Sequence, residues 1–150
     1  MEPYVNAVPV YDLKAAAGEF SGLQNVEHFD WVELPPSYKP SKDLFVCKVI
    51  GESMNKIIPN GSLCLFRRDN GGSRNGKIVL VECTNIQDPD FGSAYTVKEY
   101  LSKKNIQADQ WSHEAIILKP RSSDSKYHDI IIPEDELEFF KVLGIFECVL

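Results

Sequence analysis

The stretch Leu44–Phe66, LFVCKVIGESMNKIIPNGSLCLF, holds two short apolar runs with a cluster of turn formers between them. Leu44–Ile50 and Leu63–Phe66 are rich in Val, Ile, Leu, Phe and Cys and have the length of strands. Between them, Gly51 ends the first run and Ser53 is a residue type that caps helix starts. Pro59 stops a helix, and Asn60-Gly61 signals a turn. The local reading is a strand, a short helix over Ser53–Ile58, a turn and a second strand.

The same grammar recurs along the chain. Apolar runs at Lys77–Cys83, Ala94–Leu101, Ala115–Leu118, Asp129–Ile132 and Phe139–Leu150 are bounded by turn formers such as Asn70-Gly71-Gly72 and Asn75-Gly76. Tyr95-Thr96-Val97-Lys98-Glu99-Tyr100 alternates as a half-buried strand does. A second short helix is expected near Pro133–Leu137, where Pro followed by Glu and Asp suits a first turn. Leu34–Asp43 and Thr84–Ser93 read as surface loops, and no internal repeat is present. The predicted fold is mostly β: a single strand-rich domain of antiparallel sheets over residues 26–150, with a few short helices. Residues 1–25 read as a flexible N-terminal arm with little core-forming capacity.

A chain of 150 residues is long enough for one domain with a sizeable core. Its 16 basic and 22 acidic residues leave a net charge of −6, which argues against gripping nucleic-acid phosphates, so no direct DNA binding is expected. No apolar run approaches the roughly 18 residues of a membrane span. Ala15-Ala16-Ala17 has the small-x-small spacing of a leader-cleavage site. However, Pro3, Asn6, Asp12 and Lys14 interrupt any apolar core before it, so a cytoplasmic location is expected. Cys47, Cys64, Cys83 and Cys148 form no C-x-x-C pair and read as free thiols of a reducing compartment. His28, His113 and His128 are scattered without ligand spacing, so neither a metal nor a cofactor is expected.

Three features are able to carry chemistry. Ser53 follows a strand and Gly51 at a sharp corner, where backbone N–H groups at a helix start point outward and can stabilise an oxyanion. A plain capping serine fits the same stretch. Lys98 shares a strand face with Thr96 and Tyr100. Most strand lysines are solvated, but burial depresses a lysine pKa by up to roughly 3–5 units and leaves a neutral amine able to act as a base. Ser–Lys pairs are a known substitute for Ser–His–Asp. The third feature is the soft string Leu13–Gly22, LKAAAGEFSG, in which three alanines meet Gly18.

In this order the three features resemble the LexA/UmuD family of self-cleaving Ser–Lys peptidases, the S24 peptidases. The resemblance runs from about Ala15 to Leu150. It rests on Ala17-Gly18, Gly51-Glu52-Ser53-Met54, Ile58-Pro59-Asn60-Gly61, Asn75 to Val81, Tyr95-Thr96-Val97-Lys98, Ile117-Leu118-Lys119-Pro120 and Val142 to Phe146. It implies a LexA/signal-peptidase-like fold in which Ser53 is the nucleophile and Lys98 the neutral general base. The backbone N–H groups of Ser53 and Glu52 would form the oxyanion hole, and Ala17–Gly18 would be the bond broken. Val8, Val10 and Leu13 would help anchor the arm beside the site. The resemblance also implies the SOS response to DNA damage, with a RecA–single-stranded DNA filament or alkaline pH as activator. A translesion DNA polymerase is the implied downstream partner.

Departures from the family pattern are visible too. Seventeen residues before the bond leave no room for the helix-turn-helix of LexA-type repressors. The layout is more similar to UmuD, or to the end of a larger repressor or fused protein. Asn60 stands where the family usually has an acidic residue, and the loops Thr84–Ser93 and Ser102–Glu114 look enlarged. The apolar end Leu143–Leu150 calls for a cover, for which a homodimer is the expected source, unless the run is simply a central strand.

Other readings compete. Type I signal peptidase shares the Ser–Lys chemistry but needs a membrane anchor. A Cys–His peptidase would have to use Cys47 or Cys83, neither of which sits at an element end. The rival of a different class is a non-catalytic dimeric module that binds a repair polymerase or a RecA filament. Such a module has no need of Ser53, Lys98 and Ala17-Gly18 together.

Overall fold

The computed structural model describes residues 6–11, 30–69, 71, 74–83, 95–107 and 110–150. Its strands are β1 Ala7–Tyr11, β2 Asp30–Glu33, β3 Leu44–Val49, β4 Ser62–Arg68, β5 Ile78–Cys83, β6 Tyr95–Gln107, β7 Gln110–Lys119, β8 Ile130–Ile132 and β9 Phe140–Val149. They form one nine-stranded sheet in the order β2-β1-β3-β4-β9-β5-β6-β7-β8. Every apolar run named above lies on one of these strands, as expected for a mostly β domain.

Alternation along each strand decides what is buried. In β3, Phe45, Cys47 and Val49 point into one apolar cluster with Cys64, Phe66, Leu80, Tyr95, Val97 and Leu143. Leu44 and Val46, on the opposite face, join Val8 and Leu65 in a second cluster. Val79, Val81 and Cys83 of β5 pack into a third with Tyr100, Ile116, Leu118, Ile132 and Val142. The middle of the sheet is thus covered on both faces, which explains why its strands read as near-continuous apolar runs. Gly144 in β9 lets Phe45 lie against the backbone, since a Cβ there would come within 2.7 Å of the ring.

The structure departs from the sequence reading in four places. First, the sheet is mixed: β1 runs parallel to β3, pairing Val10 with Val46 and Tyr11 with Cys47, while the other pairings are antiparallel. Second, part of the N-terminal arm is core. Ala7, Val8 and Tyr11 are buried, and β1 lies between β2 and β3. Pro9 disguises this strand in the sequence. It is tolerated because the ladder to β3 includes only Val10 and Tyr11.

Third, Ser102–Glu114 is not an enlarged loop. β6 and β7 continue as one long hairpin whose register reaches Gln107 opposite Gln110. Its polar residues hid it, because neither face gives a clean apolar alternation. Thr84–Ser93 lies outside the described residues. Fourth, Ser53–Ile58 is a series of turns rather than a helix. Gly51 and Pro59 leave too few residues between them to repay helix nucleation. The helix expected at Pro133–Leu137 is a 3-10 helix, Glu134–Phe139.

Candidate active site

The site begins where β3 ends. Gly51 takes a φ of 101°, a left-handed conformation that a side chain would disfavour, and turns the chain out of the sheet. Its N–H donates to Asn60 Oδ1 at 2.7 Å, closing the base of the loop. Inside the loop, the N–H groups of Ile57 and Ile58 both donate to the Met54 carbonyl. Met54 and Ile58 are fully buried against the cluster that holds Tyr95 and Val97. These two apolar pegs anchor the turn that carries Ser53, itself 4% exposed.

A second loop braces the first. The N–H of Arg121 donates to the Ser53 carbonyl at 2.9 Å, and the N–H of Lys56 donates to the Arg121 carbonyl at 3.0 Å. Asn55 Nδ2 donates to Ser123 Oγ, and the N–H of Ser123 donates back to Asn55 Oδ1. The Arg121 guanidinium then forks onto Glu99 with two bonds of 2.8 Å. Because Glu99 follows Lys98 directly, one residue ties the serine turn to the lysine strand.

Lys98 and Thr96 lie on one face of β6, 3% and 4% exposed. Lys98 Nζ lies 3.1 Å from Ser53 Oγ and 2.6 Å from Thr96 Oγ1. Residues 45 positions apart in the sequence therefore meet within hydrogen-bond reach. The expected alternation is met, since Tyr95 and Val97 face the core on the other side. Among the described residues, the N–H groups of Glu52 and Ser53 donate to no backbone acceptor.

Ala17, Gly18 and Leu13 lie outside the described residues, whereas Val8 and Val10 are on β1. The strands on either side of the 12–29 segment fix where it attaches. Tyr11 is in register with Cys47, and Val10 with Asp30, so the end of β1 and the start of β2 both lie at the end of the sheet where β3 runs into Gly51.

Cys47 lies inside β3, whereas Cys83 is the last residue of β5 and so does sit at an element end, contrary to the sequence reading; both are buried, and none of Cys47, Cys64, Cys83 and Cys148 is in a disulfide. Burial pushes the Cys64 thiol up to about 12, with the neighbouring Cys148 adding to the shift. Among the described residues, no cluster of His, Cys, Asp and Glu is placed to hold a metal, and no helix is long and apolar enough to cross a membrane.

Comparison with known families decides the lineage. The family model described as Peptidase S24-like matches residues 9–145, nearly the whole chain. The chain belongs to the S24 peptidase family. The match spans β1 to β9 and takes in both Ser53 and Lys98, so this S24 domain has a LexA/UmuD-like serine-peptidase fold. None of the curated proteins matches the chain.

Sequence reasoning missed the brace. Lys119-Pro120 drew attention, but the two bonds that tie Arg121 to the serine turn run through its backbone, which leaves no mark on residue type. The Glu99–Arg121 pair was in principle visible as opposite charges, yet only the fold brings residues 22 positions apart together. Asn60 gains a plain explanation: its Oδ1 accepts the Gly51 N–H, a task a carboxylate performs equally well.

Proposed function

We propose that this S24 domain is a self-cleaving serine endopeptidase that breaks its own Ala17–Gly18 bond, with Ser53 as nucleophile and Lys98 as general base. The observation that carries the reading is the buried contact of 3.1 Å between Lys98 Nζ and Ser53 Oγ. Burial penalises an ammonium relative to a neutral amine. The Thr96 hydroxyl accepts one N–H of that amine and helps to hold it beside Ser53.

The step balances as an acyl transfer. Ser53 Oγ attacks the Ala17 carbonyl while Lys98 takes the hydroxyl proton. The N–H groups of Ser53 and Glu52 stabilise the oxyanion. The Ala17–Gly18 bond breaks, Lys98 returns the proton to the Gly18 amine, and Ala17 is left as an ester on Ser53. Water, deprotonated by Lys98, then attacks the ester; the bond to Ser53 Oγ breaks, Lys98 returns the proton to Oγ, and Ala17 leaves as the new C-terminal carboxyl group.

Reach supports the tethered substrate. Ala17 lies six residues beyond Tyr11, and Ser53 lies six beyond Cys47, with Tyr11 and Cys47 in register. Six extended residues span about 20 Å, ample for the bond to return over the serine turn. Tethering also gives a high effective concentration, so little pocket affinity is needed.

The setting follows from the family resemblance. The proposal places the protein in the cytoplasm, in an SOS-type response to DNA damage, with a layout similar to UmuD. A RecA–single-stranded DNA filament stimulates scission, and the product acts on a partner such as a translesion polymerase. A homodimer is supported by Leu63, Val149 and Leu150, which are 37–38% exposed and meet where the Leu150 N–H donates to the Leu63 carbonyl.

The test is a time course of the purified chain at alkaline pH or with activated RecA, followed by N-terminal sequencing. The proposal expects a fragment beginning at Gly18, formed faster as pH rises because only a neutral amine accepts the proton. A chain that stays whole under both conditions is the result expected of a non-catalytic interaction module.

A further inference from the structure

We infer that the groove between β2 and β3 is a peptide-binding site, and that after scission its ligand is strand β1 of the detached N-terminal piece, residues 1–17. The inference builds on the proposed cut at Ala17–Gly18. Both strands that hold β1 lie on the far side of that bond, so the cut turns an intramolecular strand into a separate peptide. Nothing in the chemistry of hydrolysis removes it.

The contacts on β1 are those of a bound strand. Ala7, Val8, Pro9 and Val10 pair with Glu33, Val32, Trp31 and Asp30 of β2. Val10 and Tyr11 pair with Val46 and Cys47 of β3. Val8 is wholly buried among Leu44, Val46 and Leu65, with Val32 packed alongside. Tyr11 is 2% exposed and meets Phe45 edge-on at 5.8 Å between ring centroids. Main-chain pairing on both sides supplies affinity, and the Val8 and Tyr11 pockets supply specificity, which is how an added strand is recognised.

The hold is also limited. The ladder to β3 has only two register pairs, and Pro9 contributes no N–H donor. The detached piece is therefore exchangeable. An empty groove would present the unpaired edge of β3 flanked by two apolar pockets, open to an extended peptide of the same pattern or to β1 of a second copy.

The test makes the cut independently of Ser53 and Lys98. A site-specific protease sequence is inserted between Ala17 and Gly18 of the Ser53→Ala chain, which is then cut and passed through native size exclusion. The small piece is expected to elute with residues 18–150 in equal amount at micromolar concentration, and to run apart from them in denaturant. Tyr11→Ala should raise the freed fraction about tenfold. A fluorescent peptide of residues 1–17 should gain anisotropy with the cut chain and not with the uncut one, whose own β1 fills the groove.

Elution of the small piece on its own at micromolar concentration would overturn the inference. So would equal peptide binding by cut and uncut chains. Failure of the wild-type chain to cleave itself would instead sink the proposed activity, leaving this experiment unaffected.

Discussion

At the scale of the residue, Lys98, Thr96 and Ser53 form a chain of contacts of 2.6 and 3.1 Å in which each part has a separable task. Thr96→Val keeps the shape and removes the hydroxyl that helps to hold the amine. Loss of one such bond, worth about 1 kcal/mol, should slow scission roughly fivefold with little change in unfolding midpoint. A midpoint that falls along with the rate would make Thr96 a structural residue only. Cys64 provides a pH test of the core. Its thiol is pushed up to about 12 by burial, whereas in the unfolded chain it ionises near 9.0. The unfolded state therefore sheds a proton that the folded state keeps. Stability is complete below about pH 9 and falls as pH rises toward 12. Urea midpoints at pH 8 and 10.5 should diverge less in Cys64→Ala than in the wild type.

Elements explain how these residues are held. The serine turn is pinned from below by Met54 and Ile58 and from the side by Arg121, whose side chain binds Glu99 beside Lys98. Arg121→Ala keeps the backbone bonds and breaks the fork. Scission should slow severalfold with its pH profile unmoved, because the brace sets distance and not protonation. Gly144→Ala should destabilise the domain by about 1–3 kcal/mol in denaturant titration, since its Cβ would meet the Phe45 ring at 2.7 Å. Most strands were legible because burial on one or both faces leaves alternation or an unbroken apolar run. β1 was not, because Pro9 looks like a stop, and β2 was not, because DWVE is short and charged at both ends. The far half of the β6–β7 hairpin was hidden because its sequence gives no clean apolar alternation, although its backbone stays in register.

For the whole molecule, the serine and the lysine were legible as types at strand ends and on strand faces, and the order of motifs joined them. What the sequence lacked was everything that brings residue 98 to residue 53: the sheet order, the buried turn and the loop at 120–123. The same topology sets the end of β1 and the start of β2 at the end of the sheet where β3 runs into the serine turn, which favours scission within one chain. First-order kinetics with a rate independent of protein concentration are expected, and a rate proportional to concentration would indicate cleavage between copies. Light scattering at micromolar concentration should report a dimer, with Leu150→Asp shifting it toward monomer. A monomeric wild type would remove the apolar patch at Leu63, Val149 and Leu150 as an interface.

The central claim is that Ser53 cuts the chain at Ala17–Gly18. Intact-mass spectrometry of wild-type and Ser53→Ala protein, incubated side by side at alkaline pH and with activated RecA, addresses it directly. The wild type should yield residues 1–17 and 18–150, together heavier than the intact chain by one water, while Ser53→Ala stays whole. The same two pieces from Ser53→Ala, or an intact wild type under both conditions, would contradict the account.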